Sequence, residues 1–491
     1  MSEGSDLSLA LTRHTMSTKT PLCVDLDGTL LRTDLLLESL AVLLREKPYI
    51  VFLLPIWLLR GGKAQLKAEI ATRVDFSSAT FPVNKQVVDF ITAERSSRTT
   101  VLVTGSHQRF ADDVASNLDL FDRVHGSDEH TNLTNIRKRD WLVKEYGEGG
   151  FDYIGNDQDD LQVWPSARRA LAVSTSDGIA KTPDANIDQT FEVPDPTFKD
   201  YINLMRVHQW SKNLLILVPF FLDQRFSDIQ SVIAITLAFF AMSFLASATY
   251  IVNDMLDLQA DRLNAVKAKR ALASGDVSLK NGLLTIVFLM LGVVSLMFVL
   301  PKSFNLILVV YLVATLFYSF VLKRRAIVDV LMIAALHTLR VIAGSVAIGA
   351  EWSFWLLAFS MFIFFSLALA KRVAELKNLE SEGRMYTIGR DYRISDIPVL
   401  LASGVSTGFL SVLVVSLYIN GEKVQRMYSE PMFLWLVCPI LMYWVARIWI
   451  KTSRGEMHED PIVFTMRDYA SRVVVLSIVL VVAAAMLFSW Q

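Results

Sequence analysis

From about residue 201 to the end of the chain, apolar runs of similar length recur, and no other feature constrains the fold as strongly. Nine runs are legible, at 203–222, 230–252, 281–300, 303–321, 326–349, 353–370, 397–419, 432–450 and 470–490. Each is near the ~20 residues that a helix needs to cross the hydrocarbon layer. Composition agrees: 53% of the 491 residues are hydrophobic and the mean hydropathy is +0.39, too apolar for an ordinary soluble chain. Backbone polar groups inside a bilayer must pair within their own segment, so these runs predict an all-α polytopic bundle of nine transmembrane helices over 201–491.

Lysine and arginine in the connections orient such a bundle. The loops 253–280, 321–326, 371–395 and 447–472 together carry 19 of them, against 4 in the loops 221–230, 300–304, 349–354 and 420–432. The first set is therefore expected in the cytoplasm, in a multi-pass cell (inner) membrane protein whose N-terminal domain and active sites share that side. The net charge of −1 gives no global field pointing to nucleic acid. Two distant cysteines, Cys23 and Cys438, offer neither a disulfide framework nor a metal spacing.

The second run ends in Asn253-Asp254-Met255-Leu256-Asp257-Leu258-Gln259-Ala260-Asp261, with Lys267, Lys269 and Arg270 close behind. On one helix Asn253, Asp254, Asp257 and Asp261 would share an arc of roughly 100°. Like charges so placed repel, and at a membrane helix end they require a cation. Mg²⁺ suits them, with a substrate diphosphate supplying the remaining oxygens. Cationic side chains recur on the same face at Lys323 and Arg324 with Tyr318, and at Lys371 and Arg372; the last loop holds Arg454, Glu456, His458, Glu459 and Asp460. Positive-inside topology accounts for many of these cations by itself. Arg340 differs because it lies within an apolar run, three residues after His337, where a charge marks function or an internal ion pair.

The front of the chain is of another kind. Residues 1–20 are rich in Ser and Thr and read as a disordered lead-in; 173–200, with Pro183, Pro194 and Pro196, reads as a linker. Between them, Pro21–Leu31 is a short apolar strand ending in Asp25 and Asp27, which share one face, and then Gly28, which permits a tight turn. One such carboxylate can attack phosphorus while the other handles the proton, with Mg²⁺ between them. The run DLDGT closely resembles the first motif of the haloacid-dehalogenase-like phosphatases. Thr104 and Gly105, after the strand Val101–Val103, resemble its second motif and would hold a phosphoryl group. Lys138 is the best match to the third-motif lysine, between Arg137 and Arg139. Asn156 and Asp160 match the metal-binding fourth motif, with Asn where the first Asp is usual, a neutral oxygen that would weaken metal binding. The resemblance covers about 20–172 and implies an α/β Rossmann-like domain at 21–172 with a helical cap at about 33–95. Within that cap Tyr49–Leu59 is strongly apolar but too short to span. It is expected as cap core, the alternative being a segment that dips into the membrane surface.

The second half resembles the UbiA-type intramembrane prenyltransferases through its carboxylate motif at the end of the second run. Arg206-Val207-His208-Gln209-Trp210-Ser211-Lys212-Asn213, Tyr318-Ser319 with Lys323-Arg324, Leu339–Gly344, Ala370-Lys371-Arg372 with Glu375, and Gly455–Pro461 are similar to the decaprenyl-phosphate phosphoribosyltransferase branch. Asn264-Ala265 and Arg270-Ala271 depart from it where His-Pro and Arg-Pro are usual. Aromatic prenyltransferases of the family carry a second Asp-rich loop; here that loop is basic, which suits a second anionic substrate. The resemblance implies Mg²⁺-dependent transfer of 5-phosphoribose from 5-phosphoribosyl-1-diphosphate to a polyprenyl phosphate, within cell-envelope biosynthesis. Asn253, Asp254, Asp257 and Asp261 would serve the metal. Lys212, Lys267, Lys269, Arg270, Tyr318, Lys323, Arg324, Arg340, Lys371 and Arg372 would form the substrate-binding pool. The fused phosphatase-like domain would remove the 5-phosphate. Prenyl transfer from an isoprenoid diphosphate to an aromatic or other acceptor is the alternative, and a non-catalytic membrane scaffold is the third reading.

Overall fold

A computed structural model describes residues 20–76, 80–129, 131–174, 187–381, 391–457 and 461–487. All but the last residue of the expected lead-in, part of the expected linker, and His458, Glu459 and Asp460 lie outside the described residues. The chain forms two compact units, one of residues 1–205 with 251–286, the other of 206–250 with 287–491.

The front unit is built on a six-stranded parallel sheet: β1 (Leu22–Val24), β2 (Thr100–His107), β3 (Arg123–Ser127), β4 (Asp152–Gly155), β5 (Arg169–Ser174) and β6 (Gln189–Glu192). Their order in space is β3-β2-β1-β4-β5-β6, every neighbouring pair parallel. Parallel strands are covered on both faces, which is why β1 reads as an unbroken apolar run and is fully buried. Strand order reverses between β1 and β4, and ligands of such sheets bind at the carboxyl ends there. This is the expected α/β Rossmann-like architecture. Between β1 and β2 lie the helices α1 (Leu35–Glu46), α2 (Leu54–Ala71) and α3 (Lys85–Arg95); α4 (Gln108–Leu118) and α5 (Ile136–Tyr146) follow β2 and β3. Asp34 caps α1 by accepting the Leu37 N–H at 3.0 Å.

Two expectations for this unit fail. The stretch 173–200 is not only a linker, because Gln189–Glu192 pairs with β5 as the sixth strand and buries Phe191. Alternation of Thr190, Phe191 and Glu192 carried that signal, but two turn-rich flanks obscured it. Tyr49–Leu59 is not cap core: only Ile50 and Trp57 are buried, while Tyr49, Phe52, Ile56, Leu58 and Leu59 are exposed.

Eight helices, among the described residues, are long and apolar enough to cross a membrane. They are α6 (Ile229–Leu256), α7 (Leu279–Met297), α8 (Lys302–Phe320), α9 (Val328–Ala347), α10 (Phe354–Ser381), α11 (Ile397–Ile419), α12 (Val437–Ser453), which reaches that length with the 3₁₀ turn Pro431–Leu436 before it, and α13 (Tyr469–Leu487). The first of the nine expected runs is broken. It takes in the end of a helix at Phe198–Leu204, a 3₁₀ segment at Val207–Ile216 and a short helix at Leu217–Leu222. Arg206 breaks it with φ +51°, outside the range of a right-handed helix. The segment packs tightly on α9, where a Cβ on Gly344 would come within 2.0 Å of the Ile216 carbonyl oxygen. The expected basic loop at 371–395 also begins late: Lys371–Glu375 lies on α10, which continues to Ser381.

Two candidate active sites

The first site lies at the carboxyl ends of β1, β2 and β4. Gly28 turns the chain after β1 with φ +77°, and a Cβ there would strike the Asn156 amide at 2.2 Å. Glycine thus lets the β1 and β4 loops close on each other. Lys138, from α5, donates to Asp25 Oδ1 at 2.7 Å and to Asp160 Oδ1 at 3.3 Å. Tyr153 donates to the same Asp160 oxygen at 2.6 Å, while Asp160 Oδ2 accepts the Asn156 and Asp157 N–H groups at 2.8 and 3.1 Å. Thr29 Oγ1 lies 3.3 Å from Asp25 Oδ2 and 2.9 Å from Asn156 Oδ1. Asp27 accepts Ser106 Oγ–H at 2.5 Å and the Leu35 N–H of α1 at 2.8 Å. Thr104 Oγ1 accepts the Ser106 N–H at 3.0 Å, and the Gly105 carbonyl accepts Lys67 Nζ at 2.5 Å.

Burial decides the protonation of this cluster. It pushes the Asp25 carboxyl up to about 6, with Lys138 pulling down and Asp160 pushing further up. It pushes Asp27 up to about 7, aided by Asp34 and opposed by Ser106. Burial works against the Lys138 ammonium, yet Asp160 and Asp25 outweigh it and hold the group above its ordinary value. The Lys67 ammonium is lowered by burial, against the opposing pull of Asp27 and Asp34.

Among the described residues no three acidic, His or Cys side chains are grouped to hold a metal. Asp25, Asp27 and Asn156 still offer the hard oxygens that Mg²⁺ prefers. Asp160, like Asp25 and Asp27, has both carboxylate oxygens hydrogen-bonded within the protein, in its case to Lys138, Tyr153 and the β4 loop.

The second site is the carboxylate stretch. It does not lie on one helix: α6 ends at Leu256, Asp257 breaks it, and a short helix resumes at Leu258–Arg262. The i→i+4 bonds Asp257 N–H to Asn253 and Asp261 N–H to Asp257 nevertheless keep helical spacing, at 3.0 and 2.8 Å. Asp254 and Asp261 are both buried and share one cation, with Arg270 Nη1 at 2.9 Å from the first and 2.5 Å from the second. Lys267 stands 3.8 Å from Asp261. The carboxylate oxygens of Asp254 and Asp261 are hard donors of the kind Mg²⁺ takes, but both are already bonded to Arg270, so a divalent cation bound there would have to displace the guanidinium.

Residues of α1 also reach this stretch. Arg45 lies 3.5 Å from Asp257, and Glu38 accepts Arg262 Nη2 at 2.6 Å and Nη1 at 2.8 Å. Glu38 also accepts Thr33 Oγ1–H at 2.5 Å and Gln259 Nε2 at 3.1 Å. Helix α1 thus touches Asp27 through its first N–H and Asp257 through its last turn.

In the second unit Arg340 is buried and bonded to neutral groups: Asn213 Oδ1 at 2.8 Å, Tyr311 OH at 2.7 Å and the Leu336 carbonyl at 2.9 Å. Asn213 passes the contact to Ser243 at 3.0 Å, and Trp210 bonds Ser247 at 2.9 Å. Lys212 lies on the same 3₁₀ segment. Tyr318 ends α8, and Lys323 and Arg324 form the 3₁₀ turn after it. Lys269 is exposed beside Lys267, and Lys371 is half-buried on α10. Arg372, expected in the substrate-binding pool, is ion-paired inside the second unit. It is 1% exposed, with Nε 2.7 Å from Asp329 and Nη1 2.5 Å from Glu375, and Asp329 also accepts Tyr392 OH. Elsewhere in the bundle Val218, Trp355, Phe359, Tyr418, Leu434 and Ile478 line an apolar cavity of about 230 Å³.

Sequence reasoning missed Lys67, Ser106 and Tyr153 at the first site and Glu38, Arg45 and Arg262 at the second. Ser106 follows the second motif and was open to inference. The others are joined only by long-range folding, over which one sequence carries no signal.

Residues 216–471 match the UbiA prenyltransferase family. The chain is 38% identical over 461 residues to an uncharacterized protein of Sinorhizobium fredii, covering 92% of this chain and 88% of that protein. It is 34% identical over 188 residues to decaprenyl-phosphate phosphoribosyltransferase of Mycobacterium tuberculosis, covering 37% of this chain and 62% of that protein, less than two thirds of its length. A solved UbiA homologue from Archaeoglobus fulgidus, bound to GPP and Mg²⁺, aligns with 58% of this chain and 99% of its own at 16% identity and a TM-score of 0.44.

Proposed function

The chain belongs to the UbiA prenyltransferase family, and from that premise we propose that it transfers 5-phosphoribose from 5-phosphoribosyl-1-diphosphate to a polyprenyl phosphate at the cytoplasmic membrane face. The observation that carries this reading is the pair of buried carboxylates, Asp254 and Asp261, sharing the Arg270 guanidinium. Such a cluster suits a cation–diphosphate complex better than an uncharged ligand. The similarity to the mycobacterial phosphoribosyltransferase supports the choice of donor and lipid acceptor.

Asn253, Asp254, Asp257 and Asp261 would hold Mg²⁺, which when bound offsets the charge that grows on the leaving diphosphate. In the transfer the C1–O bond to diphosphate breaks and a C1–O bond to the lipid phosphate forms. The attacking oxygen is already anionic, so no general base is required. Lys267, Lys269, Arg270, Lys323, Arg324 and Lys371 are the cations from which the 5-phosphate and lipid-phosphate contacts are drawn; Arg372 is already committed to Asp329 and Glu375. Arg340 keeps the opening segment in place through Asn213. The apolar cavity in the bundle has the chemistry to take isoprene units.

The front unit would then remove the 5-phosphate. Asp25 attacks phosphorus, the P–O bond to ribose breaks, and Asp27 gives the leaving oxygen its proton. Water then cleaves the aspartyl phosphate as Asp27 takes a proton back. Burial raises the Asp27 carboxyl in the metal-free protein, the direction that favours a proton on it. Asp25, Asp27 and Asn156 would hold Mg²⁺ there.

Purified protein with labelled phosphoribosyl diphosphate and a polyprenyl phosphate tests the transfer. Label entering the lipid phase, lost in Asp254→Asn, is the expected result. A second reading, prenyl transfer from an isoprenoid diphosphate, is favoured by the burial of Arg372, which removes one cation from the second anion's contacts. It is supported instead if only an isoprenoid diphosphate is consumed.

A further inference from the structure

The exposed apolar stretch on the front unit is out of place in a phosphatase-like domain. Over Tyr49–Leu59, Phe52 is 78% exposed and Leu59 87%, with Tyr49, Val51, Ile56 and Leu58 exposed beside them. Lys47, Arg60 and Lys63 flank it, all exposed, and no acid occurs between residues 47 and 63. The stretch is too short to span a bilayer, and Gly61–Gly62 interrupts the helix just after it. A contiguous apolar face with a cationic rim is the composition of an element that lies in a membrane interface.

The same unit supplies the reason for choosing a bilayer as the occupant. It contains residues 251–286, which include the end of α6 and the start of α7, two helices of membrane-spanning length. Helix α1 is fixed to the loop between them by Glu38–Arg262 and Arg45–Asp257, and Arg32, just before it, pairs with Asp276 at 3.2 Å. The apolar stretch begins three residues after α1 ends, so a lipid surface lies within its covalent reach. Anionic headgroups on the cytoplasmic leaflet complement its lysines and arginine.

We propose that Tyr49–Leu59 is an interfacial lipid-binding element that seats its apolar side chains among the headgroups and upper acyl chains. The inference rests on the spanning helices and not on the identity of the sugar donor. It has a consequence for the phosphatase-like site. Past the Gly61–Gly62 break the same helix delivers Lys67 to the Gly105 carbonyl at 2.5 Å and to Asn132 at 2.8 Å. Membrane seating and the phosphate-binding loop are therefore linked through one helix, an arrangement suited to a phosphomonoester carried on a lipid.

The test uses full-length protein in vesicles of phosphatidylethanolamine and phosphatidylglycerol. Spin labels are placed at Phe52→Cys and Leu59→Cys, with Tyr49→Cys as a third position should either variant fail to fold. Glu148→Cys, exposed on the same unit, is the aqueous reference, and both native cysteines are buried. Oxygen is expected to relax the labels at 52 and 59 more than a water-soluble nickel chelate does, with the reverse at 148. The proposal is overturned if nickel dominates at 52 and 59 as well. It is equally overturned if both relaxants are excluded, because the stretch then covers protein.

Discussion

Arg262 donates two hydrogen bonds to Glu38, at 2.6 and 2.8 Å, although 224 residues separate them. Glu38 is 1% exposed and belongs to the helix that follows the phosphatase-like motif; Arg262 follows the carboxylates of the membrane half. Removing one member of a buried pair leaves the other charged and unpaired, which typically costs about 3–5 kcal/mol. Arg262→Ala should therefore destabilise the front unit by about that much, and Glu38→Gln in the same chain should recover most of the loss. Denaturant unfolding of the four members of the cycle measures the coupling. Additive losses would remove the pair from the account.

Lys138 bridges Asp25 and Asp160, and Asp25 is the proposed nucleophile. Asp25→Asn should lower phosphate release from a phosphoribosylated lipid by roughly 10³-fold or more, leaving the transfer step intact. A phosphate assay beside the label assay separates the two. Full-rate release by this variant would exclude the mechanism.

Arg270 holds Asp254 and Asp261 together, in the position proposed for metal and diphosphate. Asp254→Ala should reduce transfer roughly 10²–10³-fold, the usual scale for losing a group that stabilises transition-state charge. Chelation should abolish transfer and added Mg²⁺ restore it. Arg270→Ala should behave differently, raising KM for the donor while lowering the Mg²⁺ concentration needed for half-saturation, because a competing cation has left the carboxylates.

Arg372 should behave as a structural residue. Arg372→Leu leaves Asp329 buried beside Tyr392 without its partner, at a cost of about 3–5 kcal/mol. The expected outcome is a lower melting temperature in detergent with KM for both substrates unchanged. A selective rise in KM at constant stability would restore Arg372 to the substrate contacts.

Asp27 gives a dependence on pH that can be read without substrate. In metal-free protein it titrates at about 7 when folded, because it is buried, and at an ordinary carboxylate value when unfolded. Between those values the folded state keeps a proton that the unfolded chain has released. Its stabilising contribution is therefore complete at low pH and is lost as pH rises toward 7. Wild type should lose more thermal stability than Asp27→Asn between about pH 4 and 7. Parallel melting curves in the presence of a chelator would contradict the burial argument.

Much of this was legible in the sequence because it is written locally. Asp25 and Asp27 after three buried strand residues, Gly28 at the turn, and the spacing of Asn253 to Asp261 are features of adjacent residues. The meeting of Asp25 with Lys138, and of Lys138 with Asp160, followed from the strand order. What sequence could not supply was the partner of a charge. Arg372 reads like a loop cation until α10 is seen to run past it and Asp329 to face it. The first of the nine expected spans failed for a related reason: hydropathy averages over 203–222, while a left-handed Arg206 and the hydrogen bonds of Trp210 and Asn213 decide its shape. Tyr49–Leu59 was misplaced because apolarity alone does not tell a core from a membrane surface.

The short strand Gln189–Glu192 sets a limit on how the front domain can be separated from the membrane helices in the laboratory. A fragment cut at residue 174 would leave the β5 edge bare, with the backbone groups of Leu171 to Ser174 open to pairing with another chain. Such a fragment should clump, and its failure would say nothing about whether phosphate chemistry survives away from the bilayer. Carrying the cut past Glu192 keeps that border closed.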